Sequence, residues 1–241
     1  MTAPDPVKKL ASLLKKLRAV SPAPPADPAL AGCPDHADPL LWQLVFAYMA
    51  WDAGPARAAD ATAKLHRAVV DYNEMRVCLP HELVSVIGER YPKALERMTR
   101  LRGTLNHLYK REHAVSLAKP QGLGKREARE YLESLDGMPG AVAARLTLLA
   151  FGGHAFPCDE RLAAALRDLN CLPPETDHAA AAGWLERHHR AGEAAEPFLY
   201  LEAWAPDRPA PRVRKPKAKA AEPARDKPAR SKRVSKSSPR P

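Results

Sequence analysis

Residues 125–172 read KREAREYLESLDGMPGAVAARLTLLAFGGHAFPCDERLAAALRDLNCL, and this stretch decides the fold. It predicts two helices, 125–135 and 140–151, joined by the turn DGMPG, and a third helix at 160–171. A short glycine-rich turn directs backbone N–H groups towards the start of the second helix, where they can bind an anion such as a DNA phosphate. Because any helical hairpin can turn with glycine, the turn alone is weak evidence for an anion site and is more typical of a structural role.

More helices are predicted on both sides of this stretch. Asp38 and Pro39 supply an N-cap and a first-position proline for a helix that runs to about Trp51. No stretch shows sustained period-two alternation between hairpin turns, so the sequence predicts an all-α domain. We place this domain at residues 40–204. Its remaining predicted helices are 56–78, 80–88, 92–117, 178–191 and 197–204.

The N-terminal segment, residues 1–20, predicts a basic amphipathic helix. Leu10, Leu13, Leu14 and Leu17 follow the i, i+3, i+4, i+7 spacing, and basic residues occupy the other face. Such a helix either docks on the domain through its apolar face or contacts nucleic acid or anionic lipid through its basic face. Residues 21–39 follow as a Pro/Ala-rich linker.

The excess positive charge of the protein lies in its C-terminal tail. The chain of 241 residues has a net charge of +10, and residues 205–241 hold 13 Lys/Arg against three Asp/Glu, while residues 21–204 sum to −4. The tail has no aromatic residue and eight of the 25 prolines, so it is predicted to be disordered. It is expected to bind DNA phosphates through counterion release, although a solubilising or RNA-binding tail would have the same composition. The candidate contacts are Arg212, Arg214, Lys215, Lys217, Lys219, Lys232 and Arg233.

Composition also indicates where the protein works. The longest apolar stretch, Leu40 to Trp51, is interrupted by Gln43 and is shorter than the roughly 20 residues that a membrane-spanning helix needs. The four scattered cysteines make no dense disulfide framework, which is typical of a reducing cytosol. We therefore expect a cytoplasmic, nucleoid-associated monomer with no membrane partner.

The register of residues 132–159 resembles that of the helix-hairpin-helix DNA glycosylases of the endonuclease III type. The family carries Leu-Pro-Gly-Val-Gly, a small residue in the following helix, Ala-Phe-Gly at its end, and Val-Asp opening the next helix. The matching positions fall at the same spacings without a gap: Leu135, Gly137, Ala143, Ala150-Phe151-Gly152 and Asp159. Stretches at 61–65 and 87–94 extend the resemblance over roughly residues 40–172.

The resemblance implies roles for particular residues. Asp159 corresponds to the aspartate that stabilises an oxocarbenium-like sugar or activates water, and Gly137, Met138 and Gly140 correspond to the hairpin that contacts double-stranded DNA. An aspartate before Glu-Arg-Leu is also a good N-cap, and capping alone would explain it.

A base-flipping enzyme fills the gap in the stack with a wedge side chain. Trp51 or Asp52 lies close to where the family places a glutamine wedge, and Tyr48 is a further candidate. A tryptophan or tyrosine near the end of an apolar helix is also typical of a core position.

The sequence departs from the family pattern at several positions. Pro139 replaces the second hairpin glycine and has no N–H to offer a phosphate. Ala141 stands where bifunctional members carry the Schiff-base lysine, so no lyase activity is expected. Glu160 and Arg161 replace the usual Thr-His. No cysteine follows Cys171, so we expect no iron–sulfur cluster and no cofactor.

These observations support two main hypotheses. The protein is a monofunctional DNA N-glycosylase of base excision repair that acts through Asp159, or it is a catalytically degenerate, non-enzymatic DNA-binding protein on the same scaffold. Pro139, Ala141 and the acidic domain favour the second. A third hypothesis is an interaction module whose tail binds RNA. A cavity the size of a flipped base beside the carboxylate of Asp159 would favour the enzyme.

Overall fold

The computed structural model describes residues 5–173 and 175–205, and within them the regular structure is entirely helical, as predicted. The helices are α1 (Pro6–Val20), α2 (Pro28–Ala31), α3 (Pro39–Ala50), α4 (Pro55–Ala68), α5 (Tyr72–Val77), α6 (Pro80–Ile87), α7 (Ala94–Glu112), α8 (Ala118–Gln121), α9 (Lys125–Glu133), α10 (Gly140–Arg145), α11 (Glu160–Asp168), α12 (His178–His188) and α13 (Ala195–Trp204). A π-helical turn, Leu146–Ala150, continues α10.

Aspartate caps define many of these helices. The carboxylate of Asp5, Asp27 or Asp38 accepts a hydrogen bond from a first-turn N–H, and a proline follows each as the first helical residue. Asp159 and Asp177 cap α11 and α12 in the same manner. The caps satisfy N–H groups that have no partner inside the helix, so the start of each helix is set locally.

The predicted helix 56–78 is broken in the structure. Helix α4 ends at Ala68, Val69 is extended, and Asp71 caps α5 by accepting from the N–H of Glu74. The Glu74 carboxylate in turn accepts from the N–H of Val70. A β-branched pair followed by a strong cap favours this break over a continuous helix.

The helix predicted at 92–117 is shorter in the structure. Helix α7 starts at Ala94 after a left-handed Lys93 and ends at Glu112 before a left-handed His113.

The buried apolar residues form two cores. The first core is built mainly from α3 to α7, α9 and α10, and includes Phe46, Tyr48 and Leu105. The second core joins the N-terminal α1 to α11, α12 and α13, and includes Phe156 and Phe198. Residues 40–204 thus contribute to both cores, and the connection between α10 and α11 passes from one to the other.

The segments before residue 40 pack against this domain. Helix α1 buries Leu10 and Leu14 in the second core, while most of its basic side chains remain exposed. Within the 21–39 segment, the carbonyl oxygen of Ala29 accepts a hydrogen bond from Trp42 Nε1 at 2.8 Å. The division of the chain at residues 20, 39 and 204 stays a prediction.

No helix of the described residues is long and apolar enough to cross a membrane.

Candidate active site between the two cores

The α9–α10 hairpin is held against the first core through its backbone. Gly137 has φ +77°, and a Cβ at this position would lie 2.6 Å from the carbonyl oxygen of Arg100. Its own carbonyl accepts a hydrogen bond from Tyr48 Oη at 3.0 Å. A left-handed backbone pressed against a neighbouring helix requires glycine here.

Tyr48 is not available as a wedge. The side chain is fully buried, and its hydroxyl also lies 2.6 Å from Thr104 Oγ1. Its position on α3 turns the ring into the first core and against the hairpin. Tyr48 therefore positions the hairpin backbone from within the first core.

The hairpin candidates Met138 and Gly140 differ in whether their backbone N–H groups are free to bind an anion. The N–H of Met138 donates to the carbonyl of Leu135 at 3.2 Å, so it is already used. Pro139 occupies the N-cap of α10 without a side-chain cap, which leaves the N–H of Gly140 in the first helical turn without an intrahelical acceptor. Gly140 is thus the more open donor.

Asp159 is a buried carboxylate that joins two parts of the chain. Its Oδ1 accepts the N–H of Leu162 at 2.8 Å as the N-cap of α11, and its Oδ2 accepts the N–H of Asp52 at 2.8 Å. Only 8% of the residue is exposed. Burial raises the pKa of Asp159, whereas the guanidinium of Arg161, 3.8 Å from Oδ2, opposes that rise.

Asp52 makes the reciprocal contacts. Its Oδ1 accepts the N–H of Glu160 at 3.0 Å, and its Oδ2 accepts Lys93 Nζ at 2.6 Å. The backbone of Asp52 is left-handed, with φ +55°. Because its carboxylate is 5% exposed and fully engaged, Asp52 is not a wedge. It fixes Asp159 and the start of α11.

Trp51 is the wedge candidate that remains accessible. Its ring is half-buried, and Lys93 Nζ lies 4.6 Å from the ring centroid. The buried guanidinium of Arg97 donates to the carbonyls of Tyr48 and Trp51, which fixes the end of α3. Burial lowers the pKa of Arg97 to about 10.

Two adjoining spaces meet at Trp51 and Ala141. The smaller, a cavity of about 30 Å³, is lined by Asp159 and by residues of both cores, and it has room for about two water molecules. The larger, which we call the hairpin groove, has a volume of about 480 Å³ and lies between Met138–Ala141 and Ala179, Ala182 and Gly183 of α12. A flipped base is too large for the cavity beside Asp159 in this conformation.

Buried charges fill the space around the cavity. Arg145 Nη1 lies 2.9 Å from Glu202 Oε1 and Arg145 Nη2 lies 2.5 Å from Asp27 Oδ1, and all three side chains are less than 10% exposed. Arg161 is 5% exposed, and its Nε and Nη1 have no hydrogen-bond partner among the described residues. We call Asp27, Arg145, Asp159, Arg161 and Glu202 the seam.

Sequence analysis missed most of the seam. Arg145 and Glu202 lie 57 residues apart, and each resembles one more charge on an amphipathic helix. The available signal was the position of Arg145 among Ala143, Ala144 and Leu146, because a charge surrounded by apolar helix residues is rarely solvated on every side.

The residues present do not fit an iron–sulfur cluster. Cys158 and Cys171 lie in the second core, and no cysteine follows them. In the described part of the chain, no group of three or more His, Cys, Asp and Glu side chains could hold a metal ion. The tail residues predicted to contact DNA, from Arg212 to Arg233, lie outside the described residues.

The chain matches no protein-family model and no curated protein. It does match solved structures. One is a trapped endonuclease III–DNA covalent intermediate, with a TM-score of 0.62 and 12% identity over 84% of this chain and 86% of the other. Another is a thermostable thymine-DNA glycosylase, with a TM-score of 0.55 and 15% identity over 86% of this chain and 90% of the other. The sequence resemblance is thereby confirmed at the level of architecture: the chain has the helix-hairpin-helix fold of the DNA glycosylases.

Proposed function

We propose that the protein binds double-stranded DNA and acts in base excision repair as a monofunctional DNA N-glycosylase, with Asp159 as its catalytic residue. One observation carries this proposal. The buried carboxylate of Asp159 lines a cavity that shares Trp51 and Ala141 with the open hairpin groove. A fixed negative charge at the end of a groove beside the hairpin is what base removal requires.

The chemistry follows from the charge that develops at the sugar. As the bond between base and sugar breaks, positive charge accumulates on the sugar ring, and a preorganised carboxylate stabilises it or removes a proton from the attacking water. The backbone N–H groups of Asp52 and Leu162 hold the Asp159 carboxylate rigidly. Ala141 supplies no amine, so the reaction stops at the abasic site.

DNA contact is assigned to three places. The N–H of Gly140 at the start of α10 and the backbone around Gly137 approach a phosphate. Trp51 fills the gap that the flipped base leaves in the stack. The basic tail attracts DNA without sequence preference. The structural neighbour trapped as a covalent intermediate with DNA supports the general mode of binding.

The second candidate function is a DNA-binding protein that has lost the chemistry. The observation that favours it is the size of the cavity, because about 30 Å³ beside Asp159 cannot hold a nucleobase unless the two cores move apart. Arg161 also lies 3.8 Å from the carboxylate that would stabilise the sugar cation and competes for its charge.

The deciding experiment uses a panel of duplexes, each with a single damaged or mismatched base, followed by alkaline cleavage of abasic sites. We expect release of at least one base, and a loss of about 10²–10³-fold in rate for Asp159→Asn, the size typical of removing one preorganised electrostatic group. Borohydride should trap no covalent adduct.

A matched control separates chemistry from capping. Asp177 caps α12 as Asp159 caps α11, and it accepts the N–H of Ala180 at 2.7 Å. Because asparagine also caps well, Asp177→Asn should cost about 1 kcal/mol or less in stability. Asp159→Asn keeps one acceptor oxygen for the two N–H groups of Leu162 and Asp52, so it should cost about 1–3 kcal/mol. If Asp159→Asn excises bases at the wild-type rate, Asp159 is only a cap; if no duplex is cleaved by the wild type, the non-enzymatic function takes precedence.

We further propose that the protein works as a monomer bound to the nucleoid, without a cofactor. Sedimentation equilibrium and metal analysis of the purified protein test this. Stoichiometric iron and sulfide would contradict it, because a cluster needs ligands that the sequence lacks after Cys171.

A further inference from the structure

Helix α1 presents four lysines to the solvent. Its 15 residues contain five cations and no acidic residue. Lys8, Lys9, Lys15 and Lys16 are all exposed. We call these four residues the lysine face.

The four lysines form two rows along one side of the helix. Each residue of an α-helix turns about 100° and rises about 1.5 Å. Lys15 therefore follows Lys8 almost in line, and Lys16 follows Lys9 in the same manner, at a distance of roughly 10 Å along the axis. The two rows are about 100° apart, so their ammonium groups lie on one continuous surface.

The folded protein leaves most of this charge without a partner. Lys8 Nζ lies 4.0 Å from Asp5 Oδ2, and the other three lysines of the face pair with no acidic side chain among the described residues. By contrast, Lys64 Nζ on α4 lies 2.7 Å from Asp60 Oδ2. Grouped cations without carboxylates create a local positive field that attracts a polyanion.

Packing fixes the backbone that carries the lysine face. The carboxylate of Asp5 caps the first turn, and Leu10 and Leu14 are buried in the second core. Just after the last turn, Tyr200 Oη donates to the carbonyl oxygen of Ser21 at 2.6 Å. The rows therefore keep a fixed position relative to the rest of the domain.

The lysine face is a different surface from the hairpin groove. In the described structure the groove is lined by residues of α7, α9, α10 and α12 and of the segments next to them, and α1 contributes none. Helix α1 packs on α13 instead. A ligand of the lysine face therefore does not have to enter the groove.

The chemistry of this face suits backbone phosphates better than a lipid surface. A helix that lies in a membrane inserts its apolar side, but the apolar side of α1 is occupied by the second core. Between the two rows of lysines stand only Ser12 and Ala19, and neither is large and apolar. Phosphates of a nucleic acid need only cations within reach, because binding releases the counterions that they hold.

We propose that the lysine face binds backbone phosphates of double-stranded DNA and is a second DNA-binding surface of the folded protein, apart from the hairpin. The inference goes beyond the proposed function, since it involves neither Asp159 nor the groove. Residues 21–204 carry a net charge of −4, so α1 is the folded segment whose charge complements DNA. Through it the protein holds undamaged duplex without engaging the groove.

Lysine footprinting of the full chain tests the proposal. The protein is acetylated briefly with and without an undamaged duplex, and peptide mass spectrometry measures the modification of each lysine. The duplex should lower the modification of all four residues of the lysine face severalfold, and added salt should abolish this protection. Lys64 is the internal control, because it is on α4, pairs with Asp60, and should react equally in both samples.

Salt dependence of binding gives a second measurement. Glutamine has nearly the helix propensity of lysine, so a quadruple variant should keep α1 folded. Its slope of log K against log salt should be less steep by about 0.9 for each lysine that the duplex protects. The variant combines Lys8→Gln, Lys9→Gln, Lys15→Gln and Lys16→Gln.

A charge-matched control separates a binding surface from net charge. It removes the same four charges from exposed cations on four other helices, α4, α7, α8 and α9, and should keep the wild-type slope. The control combines Arg67→Gln, Lys110→Gln, Lys119→Gln and Arg126→Gln.

The outcomes separate this inference from the proposed function. Unprotected lysines, or equal slopes in the two quadruple variants, overturn the lysine face and leave the glycosylase. Protection without release of any base supports the lysine face and removes only the chemistry. Anionic phosphatidylglycerol vesicles and double-stranded RNA are the remaining arms: protection by either of them, without protection by duplex DNA, would assign the face to lipid or to RNA and overturn the proposal.

Discussion

Helix α13 carries two arginine–glutamate pairs with almost the same geometry and very different surroundings. In its first turn, Glu196 Oε1 lies 2.8 Å from Arg18 Nε of α1, and the side chains are 43% and 45% exposed. In its last turn, Glu202 Oε1 lies 2.9 Å from Arg145 Nη1, and the side chains are 7% and 6% exposed. The two ends differ in the access of water and in the second carboxylate, Asp27, that Arg145 binds at the buried end.

This difference decides what each pair does. At the exposed end, water and salt screen the charges, so the pair adds little beyond the apolar contacts of α1. At the buried end, neither charge can be solvated alone, so Arg145, Glu202 and Asp27 must stay together. The exposed pair adds little to the stability of the contact between α1 and α13. The buried pair holds α10 and α13 in a fixed position relative to each other, beside Asp159.

Removing the buried cation should have the largest effect. Arg145→Ala leaves Glu202 and Asp27 buried without their partner, and breaking such a pair typically costs about 3–5 kcal/mol. Urea unfolding monitored by circular dichroism measures this change. Arg126→Ala, at a side chain that is 91% exposed, is the control and should change stability by less than about 0.5 kcal/mol. Equal costs for the two variants would show that water reaches the seam.

The next largest effect is on the salt dependence of DNA binding, because the tail is strongly positive and the folded domain is not. If about five tail cations contact phosphates, log K against log salt should slope near −4.5, a loss of about 500-fold between about 50 and 200 mM salt. A chain ending at Ala205 keeps the buried end of α13 and should show a much flatter slope. An unchanged slope in the shortened chain would place DNA affinity in the folded domain, contrary to its net charge of −4 over residues 21–204.

The contrast between apolar cores and seam also separates what the sequence could predict from what it could not. Apolar periodicity and aspartate caps are enough to predict α1, α3, α11 and the hairpin. These signals lie within a single helix or turn, so a local stretch of sequence contains them. The partners of Arg145 come from positions 27 and 202, and a local pattern carries no information about pairs so distant in the chain. The same holds for Asp52 and Asp159, whose mutual contacts only the packed structure brings together.

A smaller effect is the pH dependence of the buried pair. Burial raises the pKa of Glu202 from its ordinary value of 4.5, and Arg145 opposes the rise. The native state therefore holds this proton more tightly than the unfolded state, so the stabilisation is present below about pH 4.5 and is lost as the pH rises through the raised pKa. Without Arg145 the pKa should rise further, so the cost of Arg145→Ala should be smaller at pH 4 than at pH 8.

Unfolding of Arg145→Ala and wild type across this range measures the difference, at about 1.4 kcal/mol for each unit of pKa. The double variant Arg145→Ala with Glu202→Gln is the control, since it has no carboxyl to protonate at position 202. A cost that stays constant from pH 4 to pH 8 in the single variant would mean that Glu202 finds another cation or water once Arg145 is gone.

The smallest effect belongs to the exposed pair. Arg18 lowers the pKa of Glu196 mainly through their hydrogen bond, but both side chains are more than two-fifths exposed, so the interaction is largely screened. Glu196→Gln removes the charge, keeps the shape, and should reduce stability by less than about 1 kcal/mol, with the difference shrinking further in high salt. Leu14→Ala, in the same helix contact, should cost about 2–5 kcal/mol because Leu14 is buried in the second core. If Glu196→Gln were as costly as Arg145→Ala, exposure would not be what separates the two ends of α13, and α1 would depend on its charges more than on its leucines.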